Sequence, residues 1–169
     1  MNARAPAIAA LLGLAAAGCS DPPPPRYATE ADLRFLGEGR ATEIIAEVLG
    51  EANVQATSGW TIDIGPEHRF DVDVRAGQTK FGLEWVTAQD RVDWGDAIPQ
   101  PNETGQLQTL AGQGNDADAE ILVLDERTFR YDPDRARVER GSRGVREAEG
   151  RLRRDVSDFV EHMRAQGAI

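Results

Sequence analysis

Between Trp60 and Trp85 the chain alternates apolar and polar residues in three successive runs. Trp60, Ile62 and Ile64 enclose Thr61 and Asp63; Phe70, Val72 and Val74 alternate with Asp71, Asp73 and Arg75; Phe81, Leu83 and Trp85 enclose Gly82 and Glu84. Successive side chains leave a strand on opposite faces, so a period of two predicts three half-buried β-strands. The turns between them, at Gly65-Pro66 and Ala76-Gly77, are too short for a crossover, and consecutive strands must therefore run antiparallel. The expectation is a meander, with Trp85 on the core face beside Phe81 and Leu83, and Glu84 on the other.

Helical spacing flanks this block. Ile44, Ile45, Val48 and Leu49 form an apolar stripe in the first flank, with Gly50 as its predicted stop, preceded by a capping-box pair at Thr29 and Asp32. Thr87 and Asp90 repeat that spacing and predict a short helix ended by Gly95 and Pro99. Residues 106–110 and the apolar run Ile121–Leu124 predict two further strands, separated by the polar, glycine-rich GQGNDADAE. The clearest helix is VREAEGRLRRDVSDFVEHMRA. Val145, Ala148, Leu152, Val156, Phe159, Val160 and Met163 recur there at spacings of three and four, and Glu147–Arg151 and Glu149–Arg153 stand at i,i+4. The predicted fold is α+β: an antiparallel meander sheet of about four to five strands, an N-terminal helix, and a long amphipathic C-terminal helix packed on one sheet face.

The N-terminus has a different character. Arg4 is the only charge in the first eighteen residues, and the apolar stretch from Ala7 to Ala17 is too short to span a bilayer, which takes roughly twenty residues. A basic start, a short apolar segment and a small-residue end predict a secretory signal peptide. Its last residues, Ala16, Ala17, Gly18 and Cys19, resemble the lipobox of bacterial lipoproteins, although leucine is usual where Ala16 stands. The resemblance implies cleavage before Cys19 and acylation of that cysteine, the only one in the chain. Two or more acyl chains hold a protein stably on a membrane, each buried methylene contributing about 0.8 kcal/mol. Ser20, rather than aspartate, follows the cysteine, which favours the outer membrane over the inner. Pro22–Pro25 fix an extended spacer that holds the domain roughly 12 Å from the lipid, at about 3.1 Å per residue. The predicted organisation is a signal peptide over 1–18, lipidated Cys19 and a proline-rich spacer over 19–28, and one globular domain over 29–169.

Charge bounds the partners. Loss of the signal leaves 18 basic against 29 acidic residues, a balance that opposes binding to phosphate backbones and predicts neither nucleic acid nor anionic lipid headgroups as partners. The element order, with Asp73 in the second strand and Glu84 in the third, is similar in outline to the PD-(D/E)xK nuclease core. That family implies a lysine two residues after the strand-three acid; here the position is Val86, and Lys80 precedes the acid instead.

For other chemistry, the densest stretch is EWVTAQDRVDWGD, with Glu84, Asp90, Asp93 and Asp96 beside Trp85 and Trp94. Carboxylates next to aromatic platforms suit a glycan site, so an envelope glycan hydrolase using Glu84 with Asp90 or Asp93 is one functional alternative. The other, favoured by the ordinary use of tryptophan in cores and of acids on solvated faces, is a non-catalytic binding domain facing an envelope protein or glycan. His68 and His162 lie in no metal-binding motif, and Asp158–His162 reads as a side-chain pair on one helix. The loop residues Asn115, Asp116, Asp118 and Glu120 lack the EF-hand pattern. No metal or cofactor is expected.

Overall fold

The computed structural model describes residues 28–65, 68–101 and 105–169; the signal peptide, Cys19 and the proline spacer expected before them lie outside the described residues. In chain order the elements are β1 (Arg34–Phe35), α1 (Glu38–Glu51), β2 (Ala56–Thr57), β3 (Trp60–Gly65), β4 (His68–Val72), β5 (Val74–Ala76) and β6 (Phe81–Val86). Then come α2 (Ala88–Trp94), β7 (Thr109–Ala111), β8 (Glu120–Asp125), β9 (Arg130–Tyr131), α3 (Arg135–Val138) and α4 (Val145–Ala165).

The central sheet has the order β2-β5-β6-β8-β7. Its first three strands and the β7–β8 pair are antiparallel, but β6 and β8 are parallel, from Phe81 opposite Glu120 to Val86 opposite Asp125. The expected single antiparallel meander is therefore corrected to a mixed sheet. The physical reason is the connection from Thr87 to Ala119: it carries the chain from the end of β6 back past its start, and a strand reached by such a crossover runs parallel.

A second departure concerns the first hairpin. The pairing Thr57–Arg75 in β2–β5 and the pairing Trp60–Val72 in β3–β4 belong to one continuous register, so residues 56–76 form a single ribbon. It leaves the central sheet between the two ladders, where Gly59 takes a φ of 78° and Asp73 belongs to neither strand. The apolar row of the ribbon runs unbroken through Phe70, Val72, Val74 and Ala76, yet it serves two cores. Val74 and Ala76 join Leu83, Trp85, Leu122 and Leu124 beneath α1 and α4. Phe70 and Val72 join Ile62, Ile64, Val86, Ile98, Ile121 and Val123 on the reverse face. The domain thus has three layers: helices, mixed sheet, and the folded-over tip of the ribbon.

The helices follow their sequence patterns with local differences. α4 buries Ala148, Leu152, Val156, Phe159, Val160 and Met163, but Val145, predicted on the same face, is 40% exposed in the first turn, where it lines a groove with Tyr131 and Val138. α1 runs through Gly50 to Glu51, and the left-handed position after it is taken by Asn53 at φ 61°. Arg151–Asp155 and Arg164–Glu161 pair along α4, but the residues of the expected Glu149–Arg153 pair reach across to α1 instead. Arg40 Nε donates to Glu149 at 2.8 Å and Arg153 pairs with Glu47, while Glu147 caps the backbone N–H of Gly144 at 2.7 Å. Both capping boxes formed, at Thr29–Asp32 and at Thr87–Asp90.

Gly82 is the position where the ribbon tip presses on the sheet. A Cβ there would lie 2.7 Å from Val72 Cγ1, 2.9 Å from Ile121 Cδ1 and 3.0 Å from the Trp60 ring. Nothing in this face of β6 other than glycine lets the folded ribbon approach so closely. Gly82→Ala is expected to lower the unfolding free energy by about 1–3 kcal/mol, the usual cost of one excess methyl in a packed interior, measured by urea denaturation.

Candidate functional site

Glu84 and Asp73 meet at the bend of the ribbon. Extending the β5–β6 register, in which Val74 opposes Leu83 and Arg75 opposes Gly82, places Asp73 opposite Glu84. There the two strands part, and the backbone groups that a ladder would have joined need other partners. Each acid supplies one. Glu84 Oε2 accepts the Asp73 N–H at 2.9 Å, and Asp73 Oδ2 accepts the Trp85 N–H at 2.8 Å. Two side chains stand in for the missing rungs.

The electrostatics of this pair are one-sided. Glu84 is 6% exposed, and burial, followed by the charge of Asp73, pushes its carboxyl up to about 9; Asp90 and Glu38 add to the rise. Burial likewise raises Asp73, against the lowering effect of its bond from Trp85. Every charged group acting on Glu84 is acidic, so at neutral pH it is held as the neutral acid. Asp73 was visible in the sequence only by its place in the nuclease outline. The position that would carry the lysine of that family, Val86, is fully buried among Ile98, Ile121 and Val123.

The other acids of the stretch have separate employment. Asp90 closes the start of α2, its Oδ2 accepting the Thr87 N–H and hydroxyl, both at 2.7 Å. Asp93 is exposed and accepts from Gln89 Nε2 at 2.9 Å, and Asp96 is exposed. The tryptophans are core residues. Trp85 lies 5.2 Å from the Phe129 ring in the helix-side core, and Trp94 meets Phe70 edge-on at 5.3 Å in the other. Two grooves at the head of α4 and one beside β8 are not lined by Glu84, Asp73, Asp90 or Asp93.

The connection that leaves β6 is fixed by a half-buried cation, Arg91, which no sequence motif marks. From α2 it donates through Nε to Asp125 at 2.8 Å and through its terminal nitrogens to the carbonyls of Ile98 and Pro99 at 3.1 and 2.6 Å. Asp125 is pushed up by burial but held below its ordinary value by the hydrogen bonds of Arg127 and Arg91. Just after β9, the Arg137 guanidinium grips Asp132 through two nitrogens at 2.7 and 2.9 Å and brings it down to about 2. His162 pairs with Glu120 Oε2 at 3.0 Å, not with Asp158, because its ring lies along Phe159 and faces the start of β8. The His68 side chain lies outside the described residues. Among the described residues, no group of three or more histidines, cysteines or acids is arranged to hold a metal ion, and no helix is long and apolar enough to cross a membrane.

Comparison with protein families, with characterised proteins and with solved structures returns no match for this chain. Its function must be argued from its own geometry.

The raised Glu84 carries a stability consequence whose sign is definite. The folded state keeps its proton up to about 9 while the unfolded chain releases it near 4.5, so stability falls as pH rises through that window. Glu84→Gln keeps an oxygen for the Asp73 N–H and cannot ionise. The substituted protein is expected to match wild type at pH 4.5, to exceed it in thermal midpoint at about pH 8.5, and to show a flatter stability profile between them.

Proposed function

We propose that this chain is a membrane-anchored envelope lipoprotein, lipidated at Cys19, whose globular part is a non-catalytic binding or interaction domain facing the periplasm. The anchor reading rests on the lipobox-like Ala16-Ala17-Gly18-Cys19 and on the short apolar stretch before it. The non-catalytic reading rests on one observation above all: the carboxyls best placed for glycan chemistry are spent on the fold. Glu84 is buried and bonded to the Asp73 N–H, and Asp90 caps α2. A glycoside hydrolase needs two carboxyls about 5 to 9.5 Å apart across a cleft that admits the sugar. The outer membrane is favoured by Ser20, and an envelope protein or glycan remains the partner class.

The test is fractionation of a Gram-negative host that expresses the chain. Wild type is expected in the membrane fraction, labelled by radioactive palmitate and held as a larger precursor when lipoprotein signal peptidase is inhibited. Cys19→Ala is expected to lose the label and the processing. Equal labelling and processing of the two would overturn the anchor. Release of muropeptides by wild type but not by Glu84→Gln would replace the binding domain by the hydrolase.

A further inference from the structure

The acidic balance of the chain is not spread evenly. Between Arg135 and Arg154, eight arginines face three glutamates, within a chain of 19 basic and 29 acidic residues. Many arginines have found carboxylates: Arg40, Arg91 and Arg127 outside this stretch, and Arg135, Arg137 and Arg153 within it, are all in ion pairs. The arginines at the head of α4 are different. Arg143, Arg146, Arg151 and Arg154 border an open groove of about 610 Å³. The guanidinium groups of Arg143, Arg146 and Arg154 make no hydrogen bond or ion pair among the described residues, and all three side chains are exposed. Arg151 is set in place, over the Phe129 ring at 5.9 Å and within 3.9 Å of Asp155. The one acid at the rim, Glu147, is committed to the Gly144 N–H.

Gly150 explains the shape of the groove. On α4 it stands four residues after Arg146 and four before Arg154, on the same face of the helix. A glycine inside a helix costs about 1 kcal/mol relative to alanine, and tight packing is the usual reason to keep one. That reason is missing here, since the only atom within 4 Å of a Cβ built at Gly150 is Arg154 Nη1, at 3.8 Å. What the glycine does is leave a gap between two unpaired guanidinium groups. A second groove, of about 780 Å³, adjoins the first and shares Arg146 and Glu147 with it. Its wall includes Tyr131, Pro133, Val138 and the exposed Val145.

We propose that the groove at the head of α4 binds the phosphate group of an amphiphilic ligand, with the phosphate between Arg146 and Arg154 and the apolar part against Val138 and Val145. Guanidinium groups match the oxygens of a phosphate through paired, charge-assisted hydrogen bonds, and several converging on one gap select a multiply charged oxyanion over chloride. The net charge of the chain opposes long-range attraction to an anionic surface. Within a Debye length of about 8 Å in physiological salt, however, the local arginines govern.

The site stands independently of the anchor, and the test is arranged to keep the two apart. The chain from Ser20 onward, which carries neither the apolar signal segment nor an acyl group, is titrated with inorganic pyrophosphate, with phosphatidylglycerol vesicles and with phosphatidylcholine vesicles. The same titrations are run on this chain carrying either Arg143→Gln, Arg146→Gln and Arg154→Gln together, or Gly150→Leu. Gly150→Leu fills the gap and leaves every charge in place. Binding to phosphatidylglycerol over phosphatidylcholine, weakened at least about tenfold in both sets, assigns the site to a lipid headgroup; a tenfold change corresponds to about 1.4 kcal/mol, less than one charged hydrogen bond contributes. Pyrophosphate binding with the same losses and no preference between vesicles assigns it to a soluble phosphorylated ligand. Binding to none of the probes, or binding that survives both sets of substitutions, overturns the proposal. Circular dichroism of each variant must show the wild-type fold for its titration to count, and exposed positions such as these are expected to pass.

Discussion

The exchange of hydrogen bonds between Asp73 and Glu84 lets this domain have two cores. A ribbon that leaves a sheet must abandon the rungs of its ladder at the point of departure, and buried amides without partners cost about 1–3 kcal/mol each. Here one carboxyl receives the N–H of Asp73 and the other the N–H of Trp85, so the ribbon turns without orphaning either backbone donor. Beyond the turn, Ile62, Ile64, Phe70 and Val72 cover the reverse face of β6 and β8, which would otherwise present Val86, Ile121 and Val123 to water. The absence of a side chain at Gly82 completes the arrangement by admitting the ribbon to the sheet surface.

The same exchange restricts what the acids can do. Two carboxyls in one buried site cannot both ionise cheaply, and Asp90 and Glu38 deepen the asymmetry. A general acid with a raised pKa is a familiar catalytic device, but it works only where a substrate proton can reach it. Glu84 presents its oxygen to a backbone amide, and the chain around it gives that amide no alternative acceptor. Its neutral form is the state that suits a structural bridge, since an anion there would face three acidic neighbours with no cation to offset them.

The strands were legible because alternation is a local property of each half-buried run, and Trp60–Trp85 carries it without interruption. The bend was not legible for the same reason: the row Phe70, Val72, Val74, Ala76 keeps its period while changing cores, so nothing in the spacing marks Asp73 as a turning point. Parallel pairing of β6 with β8 was equally hidden, because the run Ile121–Leu124 is apolar on both faces and carries no sign of direction. Side-chain pairs on α4 were predicted along the helix, where sequence spacing can see them. They formed across to α1, where it cannot, leaving Glu149 with Arg40 and Arg153 with Glu47. In the candidate site, the orientation of Trp85 and Glu84 to opposite faces followed from the alternation. The partner of Glu84 depended on a register that no single strand contains.

Arginine is used in two ways in this fold, and the difference bears on how net charge should be read. Half-buried Arg91 and Arg137 pair with buried Asp125 and Asp132 and fix the connections after β6 and β9. In such places a guanidinium neutralises a carboxylate and adds little field outside the molecule. At the head of α4 the guanidinium groups of Arg143, Arg146 and Arg154 form no ion pair among the described residues, and Gly150 leaves a gap between the last two. A formal charge of −10 is an average over both uses and over acids on every other face. Potential at a surface falls off within a few ångströms beyond the Debye length, so a partner close to α4 meets the unpaired arginines before it meets the mean. An acidic protein can therefore carry a cationic site, provided that its bases are concentrated on one stretch of surface and that the nearby acids, here Glu147, Glu149 and Asp155, are held by other partners.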